Sequence, residues 1–167
     1  MKSKTQKIVI ASMLAALACV ATMIIKIPSP LHGYINLGDC VVLTCGWLLG
    51  PAYGFLAAGI GSGLADVFSG YITYAPATFL IKGLMAILAY ELWKLLQEKL
   101  GSTPAHILSG IAAEVLMVVG YLAFESVLYG FVPSLANVPA NGVQGLAGLV
   151  LGILLVKVLE KNKLGVI

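Results

Sequence analysis

The chain consists of long apolar runs separated by short breaks that contain proline, glycine or polar residues. A helix needs about 20 predominantly apolar residues to cross the hydrocarbon core of a bilayer. The pattern therefore predicts a single integral membrane domain, residues 1–167, built as an all-α bundle of six transmembrane helices. The predicted spans are residues 8–27, 38–49, 51–68, 76–94, 104–129 and 139–159. The second is short, so we expect either a short tilted span or a re-entrant segment.

The composition supports a lipid environment. Of the 167 residues, 60% are hydrophobic and 10% are charged, and the mean hydropathy is +1.01, whereas soluble domains carry about 25% charged residues. The ten Lys and Arg positions are all lysines, and without the bidentate contacts of arginine a nucleic-acid-binding surface is not expected. The three cysteines lie in apolar segments without a C-x-x-C pair, so we interpret them as small hydrophobic residues rather than metal ligands.

The positions of the lysines predict the orientation, because positively charged flanks stay on the cytoplasmic side of a membrane. With six spans both termini share one side, which carries eight lysines: Lys2, Lys4, Lys7, Lys94, Lys99, Lys157, Lys161 and Lys163. The opposite side carries Lys26, and Lys82 lies inside the fourth span. We therefore expect both termini in the cytoplasm. A cleaved secretory signal is the rival interpretation of the N-terminus, but the first apolar run is long for a signal core.

Ionisable residues inside the spans indicate a polar cavity, because each costs about 2.5–3.5 kcal/mol on insertion scales unless it faces a partner or water. Asp39, Asp66, Lys82 and Glu125 are predicted in the outer half of the membrane, and Glu114 lies deeper. In the fifth span one helical face carries Gly110, Glu114, Met117, Tyr121 and Glu125. In the last span one face carries Asn141, Gln144 or Gly145, and Gly148. These faces are expected to converge on a cavity that opens outward.

The ionisable residues also have structural interpretations. Lys82 is expected to form an internal ion pair with Asp66 or Asp39, with ligand contact as the alternative. Asp39 is also placed where an N-cap carboxylate would lie. Glu114 is deep enough that a ligand or a proton is its expected partner.

Small residues repeat every four positions in two spans, which favours close helix packing. The third span carries two such ladders, from Gly50 to Asp66 and from Ala57 to Ser69, and is expected to be sandwiched inside the bundle. In the first span Ala11 and Ala15 begin a shorter ladder. It predicts either internal packing or a docking groove for a separate membrane protein.

The chain lacks the short motifs of common catalytic sites. We find no G-x-x-x-x-G-K-[ST] phosphate loop, no H-E-x-x-H and no G-x-S-x-G. No enzyme activity, metal site or cofactor is therefore predicted. Six spans with an outward polar pocket and no ATPase motif indicate a binding subunit.

Several stretches resemble the S components of energy-coupling factor (ECF) vitamin transporters. They include Tyr34-Ile-Asn-Leu-Gly-Asp39, Gly59-Ile-Gly-Ser-Gly-Leu-Ala-Asp66 and Tyr74-Ala-Pro-Ala-Thr-Phe-Leu-Ile-Lys-Gly83. The fifth-span run from Glu114 to Glu125 and Pro139-Ala-Asn-Gly-Val-Gln-Gly145 continue the resemblance over nearly the whole chain. It is strongest for the branch that includes the pyridoxine, hydroxymethylpyrimidine and riboflavin-type binders.

The resemblance implies a six-helix protein of the bacterial plasma membrane that captures a vitamin outside and works with a transmembrane T subunit and two ATPase subunits. It implies that Ala11 and Ala15, an A-x-x-x-A element, dock on the T subunit. It also implies that the loaded protein topples in the membrane to turn its pocket inward. With Met117 from the same helical face, the expected substrate-binding residues are Lys82, Glu114, Met117, Tyr121, Glu125, Asn141 and Gln144.

Carboxylates and amides among aromatic residues favour a small, flat, heteroaromatic ligand. Pyridoxine or hydroxymethylpyrimidine ranks first on this basis, and riboflavin next. The competing hypotheses are a self-contained proton-coupled carrier or channel, with Asp66, Glu114 and Glu125 as its relay, and a membrane scaffold.

Overall fold

The computed structural model describes residues 3–29 and 34–162. Its helices are α1 (Lys4–Ile24), α2 (Asp39–Phe68), α3 (Ala75–Leu100), α4 (Ser102–Tyr129), α5 (Phe131–Ser134) and α6 (Val138–Lys161). A 3-10 turn (Leu135–Asn137) precedes α6, and two short strands, β1 (Ile27–Pro28) and β2 (Tyr34–Ile35), pair as an antiparallel hairpin. The predicted all-helical fold is confirmed. Lys2 and Lys163, which entered the orientation argument, lie outside the described residues.

The second helix is two helices joined at a sharp break. Gly50 has φ 76° and ψ −177°, a backbone conformation that glycine adopts without steric cost. Pro51 follows as the first residue of the next helical stretch, where it needs no amide hydrogen. A methyl group on Gly54 would lie 2.9 Å from the carbonyl oxygen of Cys45, so the chain folds back on itself. We call the two arms α2a (39–49) and α2b (51–68).

The α2a arm is short but lies in the middle of the bundle. Eleven residues, 39–49, make a helix of about 16 Å, about half the thickness of a hydrocarbon core. Every residue from Val41 to Gly50 is buried. Because the surrounding helices shield α2a from lipid, it does not need to span the hydrocarbon itself. This also explains its uniform hydrophobicity.

Two layers of side chains fix the directions of the central helices. One layer joins α2a, α3, α4 and α6 through Asp39, Lys82, Glu114 and Gln144. The other joins the same helices through Trp47, Trp93, His106 and Glu160. Since α1 runs alongside α2b, both described chain ends lie beyond the second layer, at what we call the lysine end. The opposite end, called the hairpin end, holds β1 and β2, residues 69–74 and α5.

The outer surface of the bundle is aliphatic. Val127, Ile24 and Leu146 are among the exposed side chains, with 85%, 72% and 65% of their surface accessible. Four described helical stretches are long and apolar enough to cross a membrane: Lys4–Ile24, Asp39–Phe68, Ser102–Tyr129 and Phe131–Lys161. The second of these is the folded-back pair α2a and α2b. Such a surface suits contact with lipid tails.

Small residues let the helices approach closely. A methyl group on Gly46 of α2a would lie less than 3.0 Å from the carbonyl oxygen of Ala86 in α3, and one on Gly61 of α2b would meet that of Ala15 in α1 in the same way. Gly59 and Phe79 pack on the opposite side of α2b. The α2b arm therefore lies between α1 and α3, as its two ladders of small residues predict.

Candidate functional site

A polar pocket lies at the hairpin end, where the ends of α2b, α3, α4 and α6 meet the β-hairpin. Its volume is about 40 Å³, which is room for a few water molecules at most. The lining consists of tyrosines, acids, amides and hydroxyls: Ser29, Tyr34, Asn36, Asp66, Tyr71, Tyr74, Thr78, Tyr121, Glu125, Asn141 and Gln144. We call this the hairpin-end pocket.

Aromatic rings form one wall of the pocket. The centroids of Tyr34 and Tyr71 are 4.8 Å apart, those of Tyr71 and Tyr74 are 6.4 Å apart, and those of Tyr74 and Phe124 are 5.3 Å apart. The hydroxyl groups of Tyr121 and Thr78 are 3.0 Å apart and share a hydrogen bond. A wall of this kind offers both flat apolar faces and hydroxyl groups to a planar ligand.

Two carboxylates supply the charge of the lining. Asp66, at the end of α2b, accepts a hydrogen bond of 2.6 Å from the Tyr34 hydroxyl. Burial and the nearby Asp66 raise the pKa of Tyr34 well above its ordinary value, so its hydroxyl remains a donor at neutral pH. Glu125, near the end of α4, accepts from Asn137 through Oε1 at 2.7 Å. Its other oxygen, Oε2, is buried without a hydrogen-bond partner among the described residues.

An amide links the pocket to a buried ion pair. Gln144 Oε1 accepts from the backbone N–H of Asn36 at 2.9 Å and from its side chain at 3.2 Å. Gln144 Nε2 donates to Asp39 Oδ2 at 2.7 Å, and Asp39 Oδ1 pairs with Lys82. Asp39, not Asp66, is therefore the partner of Lys82. The carboxylate of Asp39 serves this network instead of capping α2, whose N-cap residue is Gly38.

Glu114 lies below the pocket, between α4 and α6. It is 6% exposed, and neither carboxylate oxygen has a hydrogen-bond partner among the described residues. Methyl groups on Gly145 and Gly148 would each lie 3.0 Å from one of these oxygens, so the two glycines provide the space that the carboxyl group occupies. On its outer side Glu114 borders an apolar groove between α4 and α6.

The structure separates the seven predicted binding residues into two levels. Four line the hairpin-end pocket: Tyr121, Glu125, Asn141 and Gln144. Three lie beneath it, buried in the bundle: Lys82, Glu114 and Met117. These three are absent from the pocket lining because the Asp39–Gln144 contact and the Tyr121 ring close the pocket above them.

Sequence reasoning missed several lining residues. Tyr34, Tyr71 and Tyr74 lie at the predicted outward ends of the spans, where tyrosine is also favoured as a residue of the membrane interface. The four-residue spacing of Tyr74, Thr78 and Lys82 places them on one face of α3. Because Lys82 was a predicted binding residue, this spacing could have indicated that Tyr74 and Thr78 face the same site. The other missed positions are Ser29, Asn36 and Asp66. Asp66 was expected among the ionisable residues of the outer half, but not as a binding residue.

A second, apolar groove runs between α1 and α2b. Its volume is about 610 Å³, and Ala11 and Ala15 lie in its wall with Tyr53, Leu56 and Ile60. Ala11 and Ala15 are both half-buried. The small side chains of Ala11 and Ala15 therefore leave space for a broad groove beside α1.

Comparison with known proteins identifies the family. The family described as ECF-type riboflavin transporter, S component, matches residues 2–161. A solved structure of the S component of a bacterial ECF transporter superposes with a TM-score of 0.76 and 25% identity, covering 95% of this chain and 98% of that chain. An uncharacterized protein from Pyrococcus woesei is 36% identical over 136 residues, which are 80% of this chain and 87% of that protein.

These matches cover nearly the whole chain and agree with the helical fold described above. The family consists of membrane transport proteins that serve vitamin uptake, not enzymes. The chain is therefore a multi-pass membrane protein that belongs to the ECF-type riboflavin transporter S-component family, the substrate-binding subunits of ECF transporters.

Proposed function

We propose that the protein captures a small, flat, heteroaromatic vitamin at the hairpin-end pocket. The observation that carries the proposal is a pocket lining that combines tyrosine rings with carboxylate and amide groups. One carboxylate oxygen, Glu125 Oε2, is buried without a hydrogen-bond partner among the described residues. A ring that stacks on tyrosine and donates an N–H to Glu125 would satisfy both features. The residues alone rank pyridoxine or hydroxymethylpyrimidine first. The description of the matching family supports moving riboflavin to first place.

The proposed ligand contacts occur at two levels. Tyr121, Glu125, Asn141 and Gln144 contact the ligand first, because they line the pocket. Ligand pockets usually have volumes of about 300–1,000 Å³, so a cavity of about 40 Å³ must open to admit a vitamin. On opening, the ligand reaches the lower level formed by Lys82, Glu114 and Met117.

We also propose how the protein is placed and powered. The helical bundle crosses the cell membrane with both termini in the cytoplasm, so that the hairpin end faces outward. This orientation puts Lys4, Lys99 and Lys161 inside, as positively charged flanks require. Transport needs a T subunit and two ATPase subunits, which turn the loaded pocket inward.

Binding titrations test the substrate proposal. The purified protein is expected to quench riboflavin fluorescence saturably, and Asn141→Ala is expected to weaken binding about 10-fold, the effect of losing one hydrogen bond. Asn162→Ala, at the lysine end of the same helix, is the matched control and should bind like the unchanged protein. Failure to bind riboflavin, pyridoxine and hydroxymethylpyrimidine would show the proposal to be wrong.

A proton-coupled carrier is the second candidate, because Glu114 and Glu125 both have buried oxygens without partners among the described residues. Reconstitution separates the two functions. A carrier moves riboflavin into proteoliposomes under a proton gradient without other proteins. A binding subunit does so only after the T subunit and ATPases are added, which is the result we expect.

The groove between α1 and α2b is the proposed docking surface for the T subunit. Ala15→Leu is expected to reduce co-purification with the T subunit several-fold. The larger side chain would occupy groove space that the small residues leave open for the partner. Ala11→Leu should act in the same way. Riboflavin affinity should not change, since the groove is separate from the hairpin-end pocket.

Ala123→Leu on the exposed face of α4 is the control for this prediction, as it adds the same side chain to a lipid-facing position. Equal loss of co-purification and ligand binding in Ala15→Leu would instead indicate that the alanines serve folding.

A further inference from the structure

We propose that the apolar groove between α4 and α6 is a separate ligand site, open to the lipid, for compact, uncharged, lipid-soluble molecules that accept a hydrogen bond. We call it the α4–α6 groove. Its volume is about 300 Å³, at the lower end of the usual range for ligand pockets. Val115, Val119 and Leu146 form its rim and are exposed on the outer surface of the bundle. Glu114 supplies an ionisable group to its lining.

Glu114 lies far from water at both ends of its helix. Ser102, the first residue of α4, is 12 positions before it, and Tyr129, the last, is 15 positions after it. At about 1.5 Å per residue these separations are about 18 Å and 22 Å. The route from the hairpin-end pocket is closed by the contact of Asp39 with Gln144. The short way to the carboxyl group is therefore from the lipid, through the α4–α6 groove.

Glu114 has no cation of its own. The nearby Lys82 is paired with Asp39, and neither oxygen of Glu114 has a hydrogen-bond partner among the described residues. A carboxylate that is buried without a paired cation is strongly disfavoured relative to the uncharged acid. The acid form carries an O–H that needs an acceptor. A molecule that brings an acceptor nitrogen or oxygen into the groove would satisfy this donor.

The packing of α6 directs the carboxyl group toward the groove. Methyl groups on Gly145 and Gly148 would each lie 3.0 Å from one of its oxygens, so α6 has no side chain between these oxygens and its own backbone. Gly145 also lines the groove. The carboxyl group is therefore at the base of the groove, where an apolar ligand between α4 and α6 would meet it.

A lipid-soluble carbodiimide is a suitable probe, because it combines apolar groups with two acceptor nitrogens and reacts with carboxylic acids. The acid hydrogen of Glu114 would move to one nitrogen while the carboxyl oxygen bonds to the central carbon, which gives an O-acylisourea. Away from water, the acyl group then migrates: its bond to that oxygen breaks as its bond to a nitrogen forms, and the oxygen remains as the carbonyl of an N-acylurea. No atom is lost, so the glutamate gains the full mass of the reagent.

The test treats the full-length protein in phosphatidylcholine vesicles with N,N′-dicyclohexylcarbodiimide and locates the added mass by peptide mass spectrometry. Glu114 is expected to be labelled several-fold more than any other acid of the chain. Val115→Trp, which fills the groove from its rim, should lower the labelling of Glu114 several-fold. Val150→Trp places the same side chain on an exposed position of α6 outside the groove lining and should leave the labelling unchanged.

A water-soluble carbodiimide, used with glycinamide to convert activated acids into amides, completes the test. It should modify Glu98, an exposed acid of α3, and leave Glu114 intact. Equal modification of Glu114 by both reagents would overturn the proposal, because the carboxyl group would then be reached from water. Absence of the lipid-soluble label from Glu114, or full labelling in Val115→Trp, would overturn it as well. The test uses no vitamin, so its result does not depend on the proposed function.

Discussion

Replacing Lys82 by methionine is expected to lower the free energy of unfolding by about 3–5 kcal/mol, because it leaves the carboxylate of Asp39 buried without its cation. Asp39 and Lys82 are 0% and 2% exposed, so water cannot take the place of the lost partner. The ion pair joins α2a to α3, and Gln144 extends it to α6. Three helices therefore lose a shared contact when the ammonium is removed.

Heating in detergent with a thiol-reactive fluorophore measures this effect, because the thiol of Cys45 in α2a is fully buried until the bundle opens. Lys94→Met removes an exposed lysine from the same helix and should change the unfolding temperature little. The double variant Asp39→Asn/Lys82→Met should recover most of the loss, since no unpaired charge then remains. A single Lys82→Met variant that melts like Lys94→Met would show that the pair does not hold these helices together.

Replacing Gly46 by alanine is expected to cost about 2–3 kcal/mol, in the range of overpacked cores. The added methyl group would lie less than 3.0 Å from the carbonyl oxygen of Ala86, a backbone atom that cannot turn away. The α2a and α3 helices must then move apart. Because Asp39 and Lys82 connect the same two helices, riboflavin affinity should fall together with stability.

Gly142→Ala provides the comparison. This glycine also lies within a helix, but a methyl group there meets no atom within 4 Å, so the change should be neutral or stabilising by up to about 1 kcal/mol. Thermal unfolding and riboflavin titration of the two variants give the measurement. Equal unfolding temperatures would mean that the close approach at Gly46 is not required.

Much of the helical pattern could be predicted from hydrophobicity, while helix ends depended on local chemistry. The prediction began the first helix at residue 8, but α1 begins at Lys4, where the side chains of Ser3 and Gln6 form a capping box. The fourth predicted segment stopped at residue 94, where the apolar run fades, whereas α3 continues to Leu100 and ends before Gly101, at φ 83°. Hydropathy marks the end of the apolar run, and backbone geometry marks the end of the helix.

The short second segment illustrates a different limit of prediction from sequence. Gly50-Pro51 marked the break, but sequence left open whether residues 38–49 formed a tilted span or a re-entrant piece. Length alone could not decide, because the answer depends on what surrounds the helix. The α2a arm is enclosed by protein on all sides, and no feature within its own residues reports that environment.

The candidate site was predicted in part, for a similar reason. Periodicity placed Glu114, Tyr121 and Glu125 on one inward face of α4. It did not show that Tyr121 and Glu125 line the pocket while Glu114 lies beneath it. Choosing between Asp39 and Asp66 as the partner of Lys82 required the fold, since Asp66 instead accepts from Tyr34. Helical spacing defines the direction in which a side chain points. The residues that this side chain contacts depend on the directions of the neighbouring helices and on the loop at the hairpin end.

The small volume of the hairpin-end pocket means that affinity at this proposed binding site combines two equilibria. The first is the opening of the pocket, which converts the closed form of the protein into an open form. The second is the intrinsic association of the solute with the open form. The dissociation constant observed is the intrinsic one divided by the fraction in the open form. The contacts of Tyr34 and Asn36 with Asp66 and Gln144 favour the closed form, so we expect the loop to lower the affinity for every solute alike, whatever its chemistry.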